Sequence, residues 1–500
     1  MSGIRVMYTG LLSFLGGIIA IVTGSLFLLI ITRTLTIEEY GSWGLIFSLI
    51  SSTTMLTPIF GYWSTRETSR KILSGKTALL STTALSALVG IVFVFASFFV
   101  SNETGINQND FIFASILIIP MFLNGILYSI ALGYKPHVLS FSSILFGLTQ
   151  IFSVLIFVYF LDLGISGIIL SLLISYIVSI IVLILYVYEK IKNPFKKEFL
   201  KKWLKFFWIP LYPSIYNILA ESTILIFTIM TGSIVGVAYW VVSGVLVSSI
   251  SASGLISKAV YPKLLGLQDR SFLRDNITYL FYFGLLFSTL VITFAKPGLF
   301  VLNPIYVIAV PIVIILAIEG FLTVLTNMFQ LTLIGIEKID TYSNSTTRDY
   351  LKSKLFYVYT LRLIQVIVYV ILLIIGLLIL LPSSNSNIDL LMYWATVALI
   401  TQIPLVILLG ILIKRNFINP FDFKKITKFF VVSIITYVIF NFLVEQSLVF
   451  TENIYQFLPN LLLYAFSLIG MYLIITYLID SKIKTLFNSI IQVVVNKIGK

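Results

Sequence analysis

The sequence contains no cysteine and only one histidine, His137. The lack of cysteine excludes disulfide bonds, thiolate metal sites and cysteine nucleophiles. A single histidine, next to Lys135 and Pro136 in a short polar segment, offers too little for a histidine-based metal or acid–base centre. We therefore expect no metal, no other cofactor and no catalytic residue.

Charge is scarce as well, since 11% of the 500 residues are charged and 59% are hydrophobic. A soluble domain carries about 25% charged residues, which cover its surface. The apolar excess therefore indicates that most of the surface faces lipid. The first apolar run, residues 8–32, is too long for a cleavable signal peptide and lacks a small-residue cleavage site.

A spanning helix needs about 20 predominantly apolar residues. The sequence contains fourteen such runs, which predict an all-α integral membrane protein with both termini on the same side. The runs lie near residues 8–32, 41–62, 78–100, 111–134, 138–161, 163–188, 207–231, 234–257, 277–300, 304–330, 355–381, 390–413, 428–447 and 457–479.

Positive charge is distributed unevenly between the two sides that these runs define. With a cytoplasmic N-terminus, 30 of the 33 lysine and arginine residues lie in cytoplasmic segments, and only Arg33 and Lys296 lie outside. The positive-inside rule predicts this bias, and a wrong number of helices would scramble it. Both termini are therefore predicted to be cytoplasmic, in a multi-pass protein of the plasma membrane. The net charge of +13 is a consequence of this topology and does not indicate a nucleic-acid partner.

Two longer cytoplasmic segments, 189–206 and 336–354, separate the spanning helices into groups. The first is rich in lysine and is expected near the anionic lipids of the inner surface. At the end of the chain, residues 481–500 have apolar side chains at helical spacing and lysines at both ends. They predict an amphipathic helix that lies on the cytoplasmic surface of the membrane.

A weak internal repeat relates the two groups of helices. With a shift of 195 residues, residues 36–44 overlay residues 231–239. Each segment is a short outside turn followed by a glycine, Gly41 or Gly236, that opens an aromatic-containing helix. Repeated halves are typical of transporters whose substrate site lies between the halves, near the middle of the bilayer.

Three stretches resemble the Wzx-type polysaccharide flippases, within the multidrug/oligosaccharidyl-lipid/polysaccharide exporter superfamily. Residues 31–41 (ITRTLTIEEYG) resemble the family's turn after the first helix, and residues 61–70 resemble its basic end of the second helix. Residues 162–170 (DLGISGIIL) resemble its start of the sixth helix. The C-terminal third departs from the family, since residues 336–354 are longer and more polar than its pattern.

This resemblance implies two six-helix lobes around a central cavity that opens alternately to each side, with two further helices at the flank. The implied boundaries are 1–188 for the N-terminal lobe, 189–206 for the linker, 207–413 for the C-terminal lobe and 414–480 for the last two spans. The implied cargo is an oligosaccharide on a polyprenyl phosphate or diphosphate carrier. We expect a monomer surrounded by membrane lipid.

Three charged side chains lie within the predicted spans, where a charge costs about 3 kcal/mol and faces a cavity or a partner. Glu221 and Glu319 lie near the middle of the seventh and tenth spans, and Arg362 lies about two turns from the inner end of the eleventh. In one interpretation Arg362 holds the carrier's phosphate, and either glutamate binds the proton or sodium ion that drives transport. In the other, a Glu–Arg ion pair locks the second lobe together, or Arg362 extends to the inner surface.

The other candidate site residues lie near the ends of the spans. Arg33, Arg66 and Arg70 are candidates for binding the phosphate, with interfacial anchoring or topology as the alternative role. Tyr216 and Asn217, in the seventh span, are candidates for sugar contacts. Their alternative role is in the aromatic belt at the membrane interface.

We therefore expect a transporter that flips a lipid-linked oligosaccharide to the outer leaflet for surface polysaccharide or glycan assembly. The alternative is an ion-coupled exporter of small molecules or drugs, which Glu221 and Glu319 allow and Arg33 and Arg362 disfavour for cationic drugs. A membrane glycosyltransferase or polymerase is disfavoured, because such enzymes carry a large outside loop and the outside segments here are short.

Single cysteines introduced into this cysteine-free chain would report its topology directly. A membrane-impermeant maleimide applied to intact cells should label Glu103→Cys and Asp389→Cys, because both positions are predicted outside. Arg70→Cys is the matched control and should react only after permeabilisation. Labelling of residue 103 or 389 solely from within the cell would overturn the topology.

Overall fold

The computed structural model describes residues 19–20, 22–259, 272–337, 347–382, 386–485 and 487–488, and within these ranges it is helical with short connections. The first part contains α1 (Val22–Thr34), α2 (Ile37–Thr54), α3 (Pro58–Ser69), α4 (Gly75–Thr104), α5 (Gln108–Ser115), α6 (Ile118–Tyr134), α7 (Val138–Val154), α8 (Gly164–Ile191), α9 (Lys197–Lys205), α10 (Trp208–Thr231) and α11 (Ile234–Ser248). The second part contains α12 (Phe272–Thr293), α13 (Ala295–Leu302), α14 (Val310–Gly335), α15 (Thr347–Lys352), α16 (Lys354–Leu380), α17 (Asn387–Asn416), α18 (Phe423–Ser447) and α19 (Ile454–Ile479).

Twelve helical segments in the described ranges are long and apolar enough to cross a bilayer, and the bent pair α2–α3 brings the number to thirteen. They confirm the predicted runs from 41–62 to 457–479, so the chain is a multi-pass integral membrane protein. The predicted run 8–32 is described only in part, by α1. Of the predicted amphipathic segment 481–500, residues 486 and 489–500 lie outside the described residues.

The predicted span 41–62 is a broken helix and not a continuous one. The axes of α2 and α3 differ by 49° across residues 55–57. Pro58 occupies the first position of α3. Proline is tolerated at that position despite its missing N–H and fixed φ, whereas the same residue in the interior of a helix would disrupt the helix. The proline therefore marks the place where this span bends.

The motif at residues 36–41 has a local structural explanation. Thr36 caps α2: its Oγ1 accepts from the backbone N–H of Glu39 at 3.2 Å, and the backbone N–H of Thr36 donates to Oε2 of Glu39 at 2.9 Å. This reciprocal pair is a capping box, which satisfies two backbone donors that the helix start leaves open. At the other overlaid turn, Ser233 Oγ accepts from the N–H of Gly236 at 3.0 Å, so α11 begins with a similar cap.

The contacts divide the chain into two units. The first comprises Met1–Ala238 with Leu377–Leu381, and the second Tyr239–Gly376 with Pro382–Lys500. The last two spans, α18 and α19, belong to the second unit. The lobe boundaries that the resemblance implies remain a prediction.

In the first unit, α6 packs against α3, α4 and α8. Small residues allow α3 and α6 to approach closely: a Cβ on Gly61 would lie 2.8 Å from Ser129 Oγ, and one on Gly125 would lie 2.9 Å from the methyl of Thr57. Thr65 Oγ1 also donates to the carbonyl of Ser129 at 2.8 Å. Small residues and interhelical hydrogen bonds are what hold helices together in lipid, where the hydrophobic effect between them is weak.

In the second unit, α12 packs against α14, α18 and α19, and α14 packs against α17. Tyr282 of α12 anchors α19: its hydroxyl is 3.0 Å from Thr476 Oγ1, and the hydroxyl of Tyr472 donates to the carbonyl of Tyr282 at 3.0 Å. Thr289 and Ser433 form a further hydroxyl pair between α12 and α18. These bonds fix the last two spans to the body of the second unit.

Segments that are predicted to share a side of the membrane contact one another within each unit. On the predicted cytoplasmic side, the N–H of Lys196 donates to Thr77 Oγ1 at 2.9 Å, and Arg274 pairs with Asp422 at 2.9 Å. On the predicted outer side, Lys296 lies over the ring of Phe450 at 5.1 Å. These contacts agree with the predicted alternation of the spans.

Replacement of Gly41 tests the close contact that follows the capping box. Gly41→Ala would place its Cβ on the carbonyl oxygen of Ile234, and such overpacking costs about 1–3 kcal/mol. We expect a lower unfolding temperature of the purified protein in detergent. Gly90→Ala, where nothing lies within 4 Å of the new Cβ, is the matched control and should cause no loss. Equal unfolding temperatures for the two variants would contradict the packing described here.

Candidate functional site

A polar pocket of about 500 Å³ opens in the first unit beside the break between α2 and α3. Most of its lining residues carry a hydroxyl, an amide or a phenol group, or are small. They are Thr54, Thr57, Pro58, Gly61, Tyr62, Thr65, Met121, Asn124, Gly125, Ser129 and Tyr176. We call this cavity the polar pocket.

The polar side chains of the pocket are fixed by neighbouring helices. Asn124, on α6, accepts from Ser179 Oγ on α8 at 2.6 Å, and Ser179 is 2.6 Å from Ser142 Oγ on α7. Because its amide oxygen is engaged, the amide NH₂ of Asn124 is the group left to donate to a ligand. Tyr176, also on α8, packs its ring 5.0 Å from that of Phe146. The pocket is therefore preorganised by hydrogen bonds and by ring packing.

Arg66 adjoins the polar pocket without lining it, since it directly follows Thr65, a lining residue of α3. Its guanidinium stacks over the ring of Tyr62 at 4.5 Å, one turn earlier on α3, and the side chain is half-buried. An arginine can stack on an aromatic ring and bind a phosphate through its planar donors. Arg70 is the C-cap residue of α3 and is exposed, one turn further along the chain. Of the two arginines predicted here, Arg66 is thus the one beside the pocket.

Between these arginines, Glu67 is buried, with 5% of its surface exposed. Its Oε1 accepts from Trp203 Nε1 at 3.2 Å and lies 3.6 Å from Lys202 Nζ. Trp203 is completely buried and belongs to α9. These contacts therefore attach α9, which lies in the lysine-rich linker, to α3. The contact between Glu67 and Trp203 joins residues that are 136 positions apart, so no local sequence pattern indicates it.

Arg33 lies in the last turn of α1 and is half-buried. The residues after it in the same motif serve the fold, through the capping box of α2 and the close contact of Gly41. The resemblance that drew attention to Arg33 is therefore explained in part by local structure. The role of Arg33 itself remains a prediction.

Tyr216, Asn217 and Glu221 lie on α10, which contains Pro213 in its interior. Asn217 is exposed, and its Nδ2 donates to the carbonyl of Pro213 at 3.3 Å. Asn217 and Glu221 are four residues apart and therefore share a face of the helix. Glu221 is half-buried, and within the described residues its carboxylate has no hydrogen-bond donor or ion-pair partner. A carboxylate in that setting is suited to a mobile cation or a proton.

The second unit contains a buried polar cluster around Arg362. Its Nη1 donates to Gln402 Oε1 at 2.8 Å, and Gln402 Nε2 donates to Thr326 Oγ1 at 2.7 Å. These bonds join α16, α17 and α14. Gln402 is 1% exposed and Thr326 is fully buried, so the arginine is held inside the unit.

Glu319 belongs to the same cluster. It lies on α14, is half-buried and accepts from Thr323 Oγ1 at 2.6 Å, and its carboxylate lies within electrostatic range of Arg362. The structure thus brings together two of the three charges that were singled out within the spans. Their proximity agrees with the structural interpretation of a Glu–Arg pair. It also means that a cation bound at Glu319 would compete with Arg362 for the carboxylate.

Asn124, Tyr176 and Gln402 were not among the residues predicted from the sequence. The sequence did contain a signal for Asn124 and Gln402. An amide side chain within an apolar run is costly when it has no hydrogen-bond partner, much as a charge is, and it therefore indicates a polar contact. Tyrosine is common in such runs, so Tyr176 could not be distinguished before the helices were assembled.

These features define a helical membrane protein with a polar pocket in its first unit and a charged cluster in its second. No family model matches the chain, and no curated protein matches it. Solved structures do share its fold, and they are transporters of the MOP superfamily, which have a two-lobe fold.

Three of these structures illustrate the likeness. The lipid II flippase MurJ, in an inward closed conformation, aligns over 95% of this chain and 98% of its own, with a TM-score of 0.61 and 14% identity. An inward-facing MATE-family multidrug resistance transporter of the MOP superfamily aligns over 79% of this chain and 95% of its own, with a TM-score of 0.58 and 15% identity. A MOP superfamily transporter from Pyrococcus furiosus also aligns over 79% of this chain and 95% of its own, with a TM-score of 0.51 and 15% identity. At these identities the likeness is one of fold: this chain has the fold of the MOP transporters.

Replacement of Gln402 tests the polar cluster. Gln402→Leu removes hydrogen bonds to Arg362 and Thr326 inside the second unit, and loss of such bonds costs about 2 kcal/mol. We expect a lower unfolding temperature in detergent. Ile400→Leu, at a side chain that is 55% exposed on the same helix, is the control and should leave it unchanged. An unchanged unfolding temperature in Gln402→Leu would show that the cluster does not hold the helices together.

Proposed function

We propose that this protein is a membrane transporter that flips a polyprenyl-phosphate-linked oligosaccharide from the cytoplasmic to the outer leaflet by alternating access. Its product would serve surface polysaccharide or glycan assembly. The observation that carries the proposal is the polar pocket with Arg66 beside it. A lipid-linked oligosaccharide combines sugars with phosphate, and these are the two chemistries that the pocket and its arginine match.

The polar pocket suits sugar. Sugar hydroxyls bind to amide and hydroxyl groups, and the apolar faces of sugar rings stack on aromatic side chains. Asn124 supplies an amide donor, Tyr62 and Tyr176 supply rings, and Thr57 and Thr65 supply hydroxyls. Arg66 supplies planar donors for charge-assisted hydrogen bonds to a phosphate.

The lipid part of such a cargo needs an apolar surface. The second unit contains an apolar groove of about 590 Å³, lined chiefly by side chains of α12, α14 and α18 such as Phe281, Phe321 and Phe430. The fold comparisons favour the same cargo class, because the lipid II flippase aligns over 95% of this chain and the MATE transporter over 79%.

The coupling ion in this proposal is a proton or a sodium ion, and Glu221 and Glu319 are its candidate sites. Glu221 has no fixed partner within the described residues, whereas Glu319 has Thr323 and the charge of Arg362 nearby. An ion is therefore more readily taken up and released at Glu221, and we assign coupling to it first.

A second candidate function is the ion-coupled export of small molecules or drugs. The likeness to MATE-family transporters and the carboxylate of Glu221 favour it. Against a cationic drug stands the arginine beside the polar pocket, because like charges repel. We propose no enzymatic reaction: the described outside turns, such as residues 105–107 and 161–163, are too short to carry a catalytic domain.

Deletion of the gene tests the function. In a strain without a paralogue, the glycolipid should accumulate on the cytoplasmic leaflet, and a plasmid copy should restore export. Arg66→Ala, Arg33→Ala and Glu221→Gln should restore export about tenfold less well at equal membrane levels, since each would remove a charged contact to the cargo or to the coupling ion, worth about 1.5–3 kcal/mol.

Lys192→Ala, at an exposed position beyond α8, is the control and should restore export fully. Normal outer-leaflet glycolipid in the deletion strain would contradict the flippase. Drug sensitivity in that strain, together with normal glycolipid, would favour the exporter.

A further inference from the structure

A second polar cavity, of about 680 Å³, lies at one end of the second unit, where α12 and α18 begin and α19 ends. Its residues come from segments that are predicted to face the cytoplasm. They are Arg274, Asp422, Lys424, Lys425, Lys428, Tyr477, Leu478, Ile479, Asp480, Ser481 and Lys484. We call it the basic pocket.

The two carboxylates of the basic pocket are engaged by the protein. Asp422 pairs with Arg274 at 2.9 Å and with Lys425 at 4.0 Å, and it caps the start of α18. Asp480 is 3% exposed, and its Oδ1 accepts from the backbone N–H groups of the second and third residues after it, at 3.0 and 3.2 Å. Asp422 is therefore shared by two cations, and the pocket as a whole holds five cations against two carboxylates.

Three lysines of the basic pocket keep their charge uncompensated. In the described part of the chain, no carboxylate lies within 4 Å of Lys424, Lys428 or Lys484. Lys428 Nζ donates to the carbonyl of Ile479 at 3.3 Å, and Lys484 lies over the ring of Tyr477 at 5.8 Å. Contacts of this kind orient ammonium groups without neutralising them, so the pocket presents an excess of three positive charges to an anion.

The surroundings of the basic pocket are those of a membrane interface. Leu478 and Ile479, in its lining, are 75% and 42% exposed, and Phe423, beside Lys424, is 67% exposed. Exposed apolar side chains next to lysines are typical of the level of lipid headgroups. Lysines that merely set topology need not converge on one cavity, whereas these three helix ends bring them together.

We propose that the basic pocket binds the phosphate headgroup of an anionic phospholipid of the cytoplasmic leaflet. That leaflet carries the anionic lipids, and clustered cations at its surface select them. The lysines would surround the phosphate, and the hydroxyl of Ser481 would donate to it. The basic pocket shares no lining residue with the polar pocket, and the proposal does not depend on which cargo is carried.

Lipid retention tests the site. Wild-type protein in nanodiscs with equal phosphatidylglycerol and phosphatidylcholine should, on release into a mass spectrometer, retain phosphatidylglycerol preferentially. The variant Lys424→Gln/Lys428→Gln/Lys484→Gln should reduce that preference at least about fivefold, because each lysine at an anionic surface contributes about that factor. The matched control, Lys192→Gln/Lys197→Gln/Lys201→Gln, removes three exposed lysines from the linker of the first unit, which is also expected near anionic lipid but does not line this pocket. It should reduce the preference less than the first variant, and an equal reduction would overturn the pocket.

Equal retention of the two lipids by the wild type, or an unaltered preference in the first variant, would overturn the proposal. Displacement of the phosphatidylglycerol by millimolar inorganic phosphate would overturn its assignment to lipid and identify a site for soluble phosphate. If the glutamine variant aggregates, the wild type still decides the matter: added salt should weaken the preference, and a salt-independent preference would contradict it. The charge-conserving variant Lys424→Arg/Lys428→Arg/Lys484→Arg should retain phosphatidylglycerol.

Discussion

A polar group within the hydrocarbon of a bilayer has no water to bind, so its hydrogen bonds must be made inside the protein. This constraint turns the backbone into helices, because a helix satisfies its own amides. It also explains the interior of this protein, where Ser142, Ser179 and Asn124 are linked to one another and Gln402 joins Arg362 to Thr326. The same constraint makes the carboxylate of Glu221 informative: it has no partner among the residues that the structure describes, and its cost calls for a compensating function.

Features that depend on neighbours in sequence were predictable. The length of an apolar run and the number of lysines and arginines in a segment can both be counted along the sequence. The thirteen spans of the described ranges agree with the runs predicted in this way. The bend before Pro58 was not predicted, because hydropathy averages over a single proline. The polar pocket could not be predicted either, since Tyr62, Asn124 and Tyr176 meet only after three helices have packed. The Arg362–Gln402 contact likewise joins residues that are 40 positions apart. The roles assigned to the candidate residues remain predictions.

The two units contain different polar features. The polar pocket, in the first unit, offers rings, hydroxyls and an amide, with Arg66 beside it. The second unit holds a charge cluster that joins three helices and, at its predicted cytoplasmic end, a pocket with uncompensated lysines. Motif residues near Arg33 cap a helix and permit a close contact. A sequence motif that resembles that of a family can therefore reflect the fold more strongly than the cargo.

The central claim is that this chain moves a lipid-linked sugar across a bilayer. Its most direct test is a reconstitution of the purified protein in vesicles that contain a fluorescent oligosaccharide on a polyprenyl diphosphate. A membrane-impermeant quencher, added outside, reports how much of the inward-facing lipid reaches the outer leaflet. The account predicts that quenching proceeds beyond the outer-leaflet fraction in vesicles with the protein. Quenching that stops at the level of protein-free vesicles, under both a proton and a sodium gradient, would contradict it.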